Sequence, residues 1–128
     1  MRALRLSLML SPLIGCGDQA TPGVCTALFA MIPLFVQTQA GGPASGLTIS
    51  ATILRTRQTF TVAQSGIGGP GTYVVFDDNF VGRIRASGDS VRVNGSDGTL
   101  EFTQVFLFDA PGGCHVRKVS GADTVVAQ

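Results

Sequence analysis

The sequence predicts an all-β protein, a single small β-sandwich of the prealbumin or immunoglobulin-like kind with about seven or eight strands. Charged residues make up only 13% of the 128 residues, while Gly, Thr, Ser and Val are plentiful. Short apolar segments are separated at regular intervals by clusters of Gly, Pro, Asn and Asp, which is the pattern of strands and turns. No segment has the periodicity of a convincing amphipathic helix. The length suits one domain.

The clearest strand lies in residues 47–53, where apolar and hydroxyl side chains alternate strictly. A turn at 55–58 leads into a second strand at 59–63. The glycine-rich segment 64–71 is expected to be a loop, and a third strand resumes at 72–76.

Residues 25–39 enter the domain ahead of these strands. Their apolar core, 27–36, is too short to cross a membrane as a helix. A helix within the domain is possible, but Pro33 would break it near its middle. We expect an edge strand bent at Pro33 instead, with residues 34–36 as its most strand-like part.

The second half of the chain contains the strongest hairpin signal, since two turn dipeptides lie within residues 94–98. The second arm of this hairpin becomes continuously apolar, as in a central strand. The elements expected here are a turn at 77–79, a short strand at 80–85, hairpin arms at 90–93 and 99–108, a closing strand at 114–119 and a last edge strand at 124–126.

The N-terminus has the layout of a secretory signal peptide, with a basic start and a short apolar run. The run ends in Leu13-Ile14-Gly15-Cys16, which resembles the lipobox of bacterial lipoproteins at all four positions. In that family the cysteine thiol is diacylglycerated and the peptide is cut before it. The resemblance implies a signal peptide at 1–15, a tether at 16–24 and the β-sandwich at 25–128. An ordinary signal peptide, or a buried first strand containing Cys16, is the alternative.

This resemblance implies a bacterial envelope protein that faces the periplasm and contacts the membrane through lipid on Cys16. The acid after the cysteine is at Asp18 rather than at position 17, which slightly favours the outer membrane. Of the nine Lys and Arg residues, Arg2 and Arg5 lie in the signal peptide, so the remaining chain carries one more acidic than basic residue. Such a balance offers no basic patch for nucleic acid.

Assigning Cys16 to lipid leaves Cys25 and Cys114 of the three cysteines. In an exported protein these two are expected to form a disulfide that encloses most of the domain. Two free buried cysteines are the alternative if the protein is not exported.

Three segments also resemble a set of bacterial lipoprotein domains similar to carboxypeptidase regulatory-like (transthyretin-like) domains. They are Cys25-Thr26-Ala27, residues 69–75 (Gly-Pro-Gly-Thr-Tyr-Val-Val) and Cys114-His115-Val116. The resemblance implies a non-catalytic prealbumin-like sandwich with a Cys25–Cys114 link and no defined ligand. Residues 77–109 depart from it, because this region is longer than expected and lacks the family's Gly-Tyr turn.

Motifs for chemistry are few. Residues 66–71 match the dinucleotide fingerprint G-x-G-x-x-G, but Pro70 lies inside the motif and a strand rather than a helix is expected after it. His115 is the only histidine, which excludes histidine-pair metal sites; a hydrogen bond from the start of a strand to a turn is its expected role. The Asp-Asp-Asn run at 77–79 has too few partners for calcium and fits turn chemistry.

We therefore expect a lipid-anchored, non-enzymatic binding or accessory domain, without cofactor or metal, that is monomeric or only weakly associating. An unidentified envelope protein or carbohydrate is a possible partner. The alternative is a small hydrolase or metal-dependent enzyme using His115, although a Ser/His/Asp site has no nucleophile-elbow motif to support it.

Overall fold

The computed structural model describes residues 24–64, 66 and 68–128. Over these ranges eight strands form two sheets of a small sandwich, as the sequence predicted. The lipobox, the signal peptide and the tether up to residue 23 lie outside the described residues. The strands are β1 (Met31–Thr38), β2 (Thr48–Ile53), β3 (Gln58–Thr61), β4 (Thr72–Asp77), β5 (Asp89–Ser96), β6 (Glu101–Asp109), β7 (Arg117–Ser120) and β8 (Thr124–Ala127).

The larger sheet has five strands in the order β3-β2-β5-β6-β7, and its neighbours are all antiparallel. The alternation predicted for residues 47–53 is confirmed: Ile49, Ala51 and Ile53 are fully buried in β2. In β5 the residues also alternate between buried and more exposed positions. Each strand therefore turns one face to the core and the other to solvent.

The predicted β5–β6 hairpin is confirmed, but its loop is shorter than residues 94–98. Residues 94–96 continue β5 and pair with the start of β6, so the chain reverses within Asp97–Leu100. The Asp97 carboxylate accepts hydrogen bonds from the backbone N–H groups of Thr99 and Leu100, each at 2.7 Å. Gly95 lies inside β5. A Cβ at this position would overlap the ring of Phe102, which explains why the strand has a glycine here.

The smaller sheet has three strands in the order β4-β1-β8. The prediction that residues 25–39 contain an edge strand was wrong, because β1 is the central strand. It pairs antiparallel with β4 and parallel with β8. Pro33 is exposed and follows a register shift between Ile32 and Pro33, where a residue without an N–H can be accommodated. The strand is irregular at Pro33, where the bend was predicted, but its place in the sheet was not predicted correctly.

The short strand predicted at 80–85 was also wrong. Asp78–Arg83 is a 3₁₀ helix whose first turn is capped by the Asp77 carboxylate, which accepts a hydrogen bond from Asn79 N at 2.8 Å. The helix turns Phe80 into the core. Capping and burial of one aromatic side chain outweigh the local strand propensity here.

A row of phenylalanine rings fills the core between the sheets. Phe76 of β4 stacks on Phe108 of β6 with ring centroids 4.7 Å apart, and on Phe80 at 4.8 Å. Phe60 and Phe106 extend the row at its two ends. Tyr73 is buried as well, and its hydroxyl donates to Ala44 O and accepts from Leu47 N. These aromatic residues belong to the core or pack against it.

The end of the chain connects the smaller sheet to the larger one. The edge strand expected near residues 124–126 is β8, and beyond it the backbones of Gln128 and Glu101 exchange two hydrogen bonds of 2.9 Å. The closing strand begins later than predicted, at Arg117 rather than Cys114. Residues 114–116 are not in a strand: Cys114 and His115 bond to Cys25 and Thr26, and Val116 N donates to Asp78.

Candidate functional site

The N-terminal segment 24–30 is fastened to the sandwich before β1 begins. Cys25 and Cys114 form a disulfide with Cα atoms 5.2 Å apart, the pairing that the cysteine count favoured. The sequence placed both cysteines in strands, within 25–39 and 114–119, but the disulfide joins two loops. Cys25 precedes β1, and Cys114 follows a short 3₁₀ turn at Pro111–Gly113. The bond nevertheless connects the smaller sheet to the larger one, because these loops lead into β1 and β7.

His115, the residue after Cys114, bridges two parts of the chain. Its Nδ1 atom lies 2.6 Å from Asp78 Oδ2, and its Nε2 atom lies 2.8 Å from the hydroxyl oxygen of Thr26. The expected hydrogen bond from His115 to a turn is therefore present, at the start of the 3₁₀ helix. The sequence did not predict the second bond, to Thr26.

Asp78 is the acceptor on which this arrangement converges. Besides His115, it accepts hydrogen bonds of 2.8 Å from the backbone N–H groups of Ala30 and Val116. Burial by itself raises the pKa of Asp78, but these hydrogen bonds outweigh burial and hold its pKa below the ordinary value. The carboxylate is therefore charged at neutral pH and fixed in orientation.

We call these links the entry clamp: the Cys25–Cys114 disulfide and the hydrogen bonds joining Thr26, Ala30, Asp78, His115 and Val116. The clamp brings together residues from three distant parts of the sequence. The Cys-Thr and Cys-His dipeptides were visible in the sequence. The resemblance to carboxypeptidase regulatory-like domains already rested on both of them, one near each end of the domain. Nothing in the sequence indicated that Asp78, within an ordinary turn motif, would join them.

The order Thr26–His115–Asp78 is that of a nucleophile, a base and an orienting carboxylate. With Nδ1 protonated toward Asp78, neutral His115 can accept the Thr26 hydroxyl proton at Nε2. Asp78 has 9% of its side chain exposed and His115 has 30%. The same bonds equally well hold the N-terminal segment in place, without any chemistry.

Other residues considered from the sequence lie apart from the clamp. The glycine-rich segment leads into β4, as the loop prediction required, so no helix N-terminus follows it. Gly71 adopts φ +80°, and a Cβ there would come within 2.8 Å of Val36 O and Pro43 Cβ. Close packing against β1 thus explains this glycine. In the described ranges no group of three or more His, Cys, Asp or Glu residues is arranged to hold a metal ion.

Two shallow surface grooves also lie away from the clamp. One, of about 430 Å³, runs between β6 and β8 and is lined by residues including Phe102, Gln104 and Val125. The other, of about 290 Å³, borders the glycine-rich loop and Tyr73. Neither groove contains a clamp residue, so the Thr26 hydroxyl does not open into either of them.

The N-terminal segment also carries apolar side chains that do not reach the core. Val24 is 98% exposed, Leu28 79% and Phe29 51%. We call these three residues the entry patch. Over residues 24–64, 66 and 68–128, no helix is long and apolar enough to cross a bilayer.

The chain matches no protein-family model, no curated protein and no solved structure.

Proposed function

We propose that this chain is a lipoprotein of a bacterial envelope, attached to the membrane through lipid on Cys16, and that its sandwich is a non-catalytic binding or accessory domain. The entry clamp is the observation that carries this proposal. The disulfide within it suits an exported protein, since such bonds persist in oxidising compartments. The lipobox-like tetrapeptide at residues 13–16 supplies the attachment.

The clamp also has a mechanical meaning for an anchored protein. Any force from the lipid enters the domain through residues 17–24, which lead directly to Cys25. A covalent bond at Cys25, backed by the Thr26 and Ala30 hydrogen bonds, passes that force into both sheets. Without the clamp, force on the tether would peel β1 from the sandwich.

The likeness to carboxypeptidase regulatory-like domains belongs to this proposal. A two-sheet sandwich with a disulfide between its two ends is compatible with that family. Such a domain would bind an envelope protein or carbohydrate rather than transform a substrate. The grooves beside β8 and beside the glycine-rich loop are the surfaces that could serve this role.

The experiment that tests lipid attachment is the intact mass of the protein extracted from bacterial membranes. We expect a mass that lacks residues 1–15, is raised by acyl chains, and is short by the two hydrogens lost in the disulfide. A Cys16→Ser variant is the control and should carry no acyl chains. An unmodified Cys16 in the membrane-extracted protein would overturn the proposal.

A second function is favoured by one specific observation, the Thr26–His115–Asp78 geometry. In an esterase, Thr26 Oγ1 would attack the carbonyl carbon of the ester and pass its proton to His115 Nε2. His115 would then protonate the departing alcohol oxygen, and a water molecule would release the acyl group from Thr26. Asp78 would stabilise the protonated histidine.

The two functions give opposite results for His115→Gln assayed with a small activated ester. If the protein is an esterase, this variant and Thr26→Val both lose activity. For the non-catalytic domain we expect no difference from the uncatalysed rate in any form of the protein, together with a modest loss of stability in both variants.

A further inference from the structure

We propose that the entry patch, formed by Val24, Leu28 and Phe29, is a second membrane contact that lays this end of the sandwich against the bilayer. The inference rests on the proposed lipid attachment at Cys16 and adds an orientation to it. The lipid would hold the protein at the membrane, and the patch would decide which end of the domain faces the surface.

The first support is exposure. Among the described residues, Val24, Leu28 and Phe29 are the three most exposed large hydrophobic side chains, and they lie within six positions of one another. The next most exposed, Val119, Val105 and Val126, are between 41% and 49% exposed and are separate positions in three different strands. Several large apolar side chains exposed within one short segment point to an interaction surface, whereas single exposed ones need no explanation.

The second support is that the clamp prevents the patch from folding back into the core. Cys25 and Thr26 lie between Val24 and Leu28, and both are bonded to the loop at Cys114 and His115. Ala30, directly after Phe29, is bonded to Asp78. The segment is thus attached at three residues, twice through side chains and once through the backbone of Ala30, while its large apolar side chains remain at least half exposed.

The third support is the distance to the proposed lipid. Only seven residues, 17–23, separate Cys16 from Val24. The eight Cα–Cα steps from Cys16 to Val24 reach at most about 29 Å, even when fully extended. Acyl chains on Cys16 would therefore keep the patch at the bilayer surface, where even a weak tendency to insert is sufficient because the tether raises its local concentration.

The chemistry of the segment fits lipid. Residues 24–30 read Val-Cys-Thr-Ala-Leu-Phe-Ala and contain no charged side chain. Leucine and phenylalanine are typical of side chains that enter the boundary between headgroups and acyl chains. The carboxylate that bonds to this segment, Asp78, has only 9% of its side chain exposed and is occupied by its hydrogen bonds. No exposed acid within the segment would oppose an anionic phospholipid surface.

A single tryptophan can report this contact, because the chain contains none. The lipidated protein carrying Phe29→Trp is reconstituted into phosphatidylethanolamine–phosphatidylglycerol vesicles with or without brominated acyl chains. Val126→Trp is the matched control: Val126 is also partly exposed, and it pairs with Gln37, about 20 Å further along β1 than Met31.

We expect the tryptophan at position 29 to shift its emission to the blue and to be quenched by the brominated lipid. The tryptophan at position 126 should keep the emission of an aqueous side chain and escape quenching. Adding Val24→Ser and Leu28→Ser to the Phe29→Trp protein should reduce the quenching.

The outcomes separate this inference from the proposal beneath it. Acylation by intact mass without quenching at position 29 would overturn the membrane contact and leave the lipoprotein standing. A blue shift without quenching that disappears on dilution would assign the patch to a second copy of the chain, and so would also overturn the inference. Equal quenching at both positions would refute the proposed orientation. Absence of acyl chains would remove the lipoprotein proposal itself.

Discussion

The two sheets of this domain are assembled in different ways. In the five-stranded sheet, three of the four strand pairs (β2–β3, β5–β6 and β6–β7) join strands that follow one another in the sequence. In the three-stranded sheet no pair does: β1 lies between β4 and β8, and Phe35 pairs with Thr124. Because closing a long loop costs entropy before any contact forms, the smaller sheet depends more on ties to the rest of the protein.

The entry clamp is such a tie. Cys25 leads into β1 and Asp78 follows β4, both in the smaller sheet, whereas Cys114 and His115 lead into β7 of the larger sheet. At β8, Gln128 is bonded to Glu101 of β6. Local turns therefore organise the larger sheet, while cross-links between distant segments hold the smaller one.

Removing the disulfide should have the largest effect. Its cysteines are 89 positions apart, and for a loop of that size the chain-entropy model predicts a loss of about 4–5 kcal/mol in the free energy of unfolding. Urea unfolding of a Cys25→Ser/Cys114→Ser variant measures this loss. Amide exchange in the same variant should accelerate more in β1 and β8 than in β5 and β6. Equal acceleration in both sheets would contradict the comparison.

Removing the central aromatic ring should come next. Phe76 is fully buried and stacks on both Phe80 and Phe108, so Phe76→Ala is expected to cost about 3–5 kcal/mol. Chemical denaturation gives the value. A double-mutant cycle with Phe108→Ala should show a coupling of about 0.5–1.5 kcal/mol beyond the single losses. If the losses of the two single variants simply add, the contact between Phe76 and Phe108 does not couple the two sheets.

Removing the acid-sensitive ion pair between Arg55 and Asp89 should have an intermediate effect on stability. Asp89 is buried and accepts two hydrogen bonds of 2.7 Å from Arg55, which hold the pKa of its carboxyl below the ordinary value. A lowered folded-state pKa contributes stability that is present above the unfolded pKa, about 4, and is lost as the pH falls through the folded value. Asp89→Asn should therefore lose about 1–3 kcal/mol at neutral pH.

The pH dependence of that variant is the sharper measurement. Below about pH 4 the wild type should lose stability more steeply than Asp89→Asn, because the variant has no carboxylate to protonate at this position. Asp109→Asn is the control, since the partner Arg117 is 65% exposed and water screens that pair. A control loss as large as that of Asp89→Asn would show that burial of the pair is not the cause.

The smallest effect is expected at the edge of the larger sheet. The hydroxyls of Thr52 and Thr59 are hydrogen-bonded at 2.8 Å across β2 and β3, on the exposed face. Thr59→Val removes this bond while keeping the β-branched shape, and should cost about 0.2–1 kcal/mol. Thermal unfolding of this variant beside the wild type checks the value. A loss comparable to that of Phe76→Ala would show that the edge of this sheet is not held by local pairs.

The limits of prediction follow the same division. Alternation in β2 and the turn signals before β6 are local, and both elements were predicted correctly. The strand expected at 80–85 failed because a cap at Asp77 and the burial of Phe80 against Phe76 decide that segment. The strand expected from Cys114 failed because Val116 N bonds to Asp78 instead of to a strand. In both cases the deciding partner is not visible in the local sequence pattern.

By itself the sequence determined the fold class, the strongest hairpin and the pairing that the cysteine count allowed. Those features depend on side-chain alternation, on turn residues and on the oxidation of thiols, which are properties of short segments or of composition. Only the tertiary structure decided that β1 is central, that Thr26, His115 and Asp78 meet, and that Val24, Leu28 and Phe29 stay exposed. Each of these depends on contacts between residues far apart in the chain, whose geometry exists only when both sheets have closed around the core.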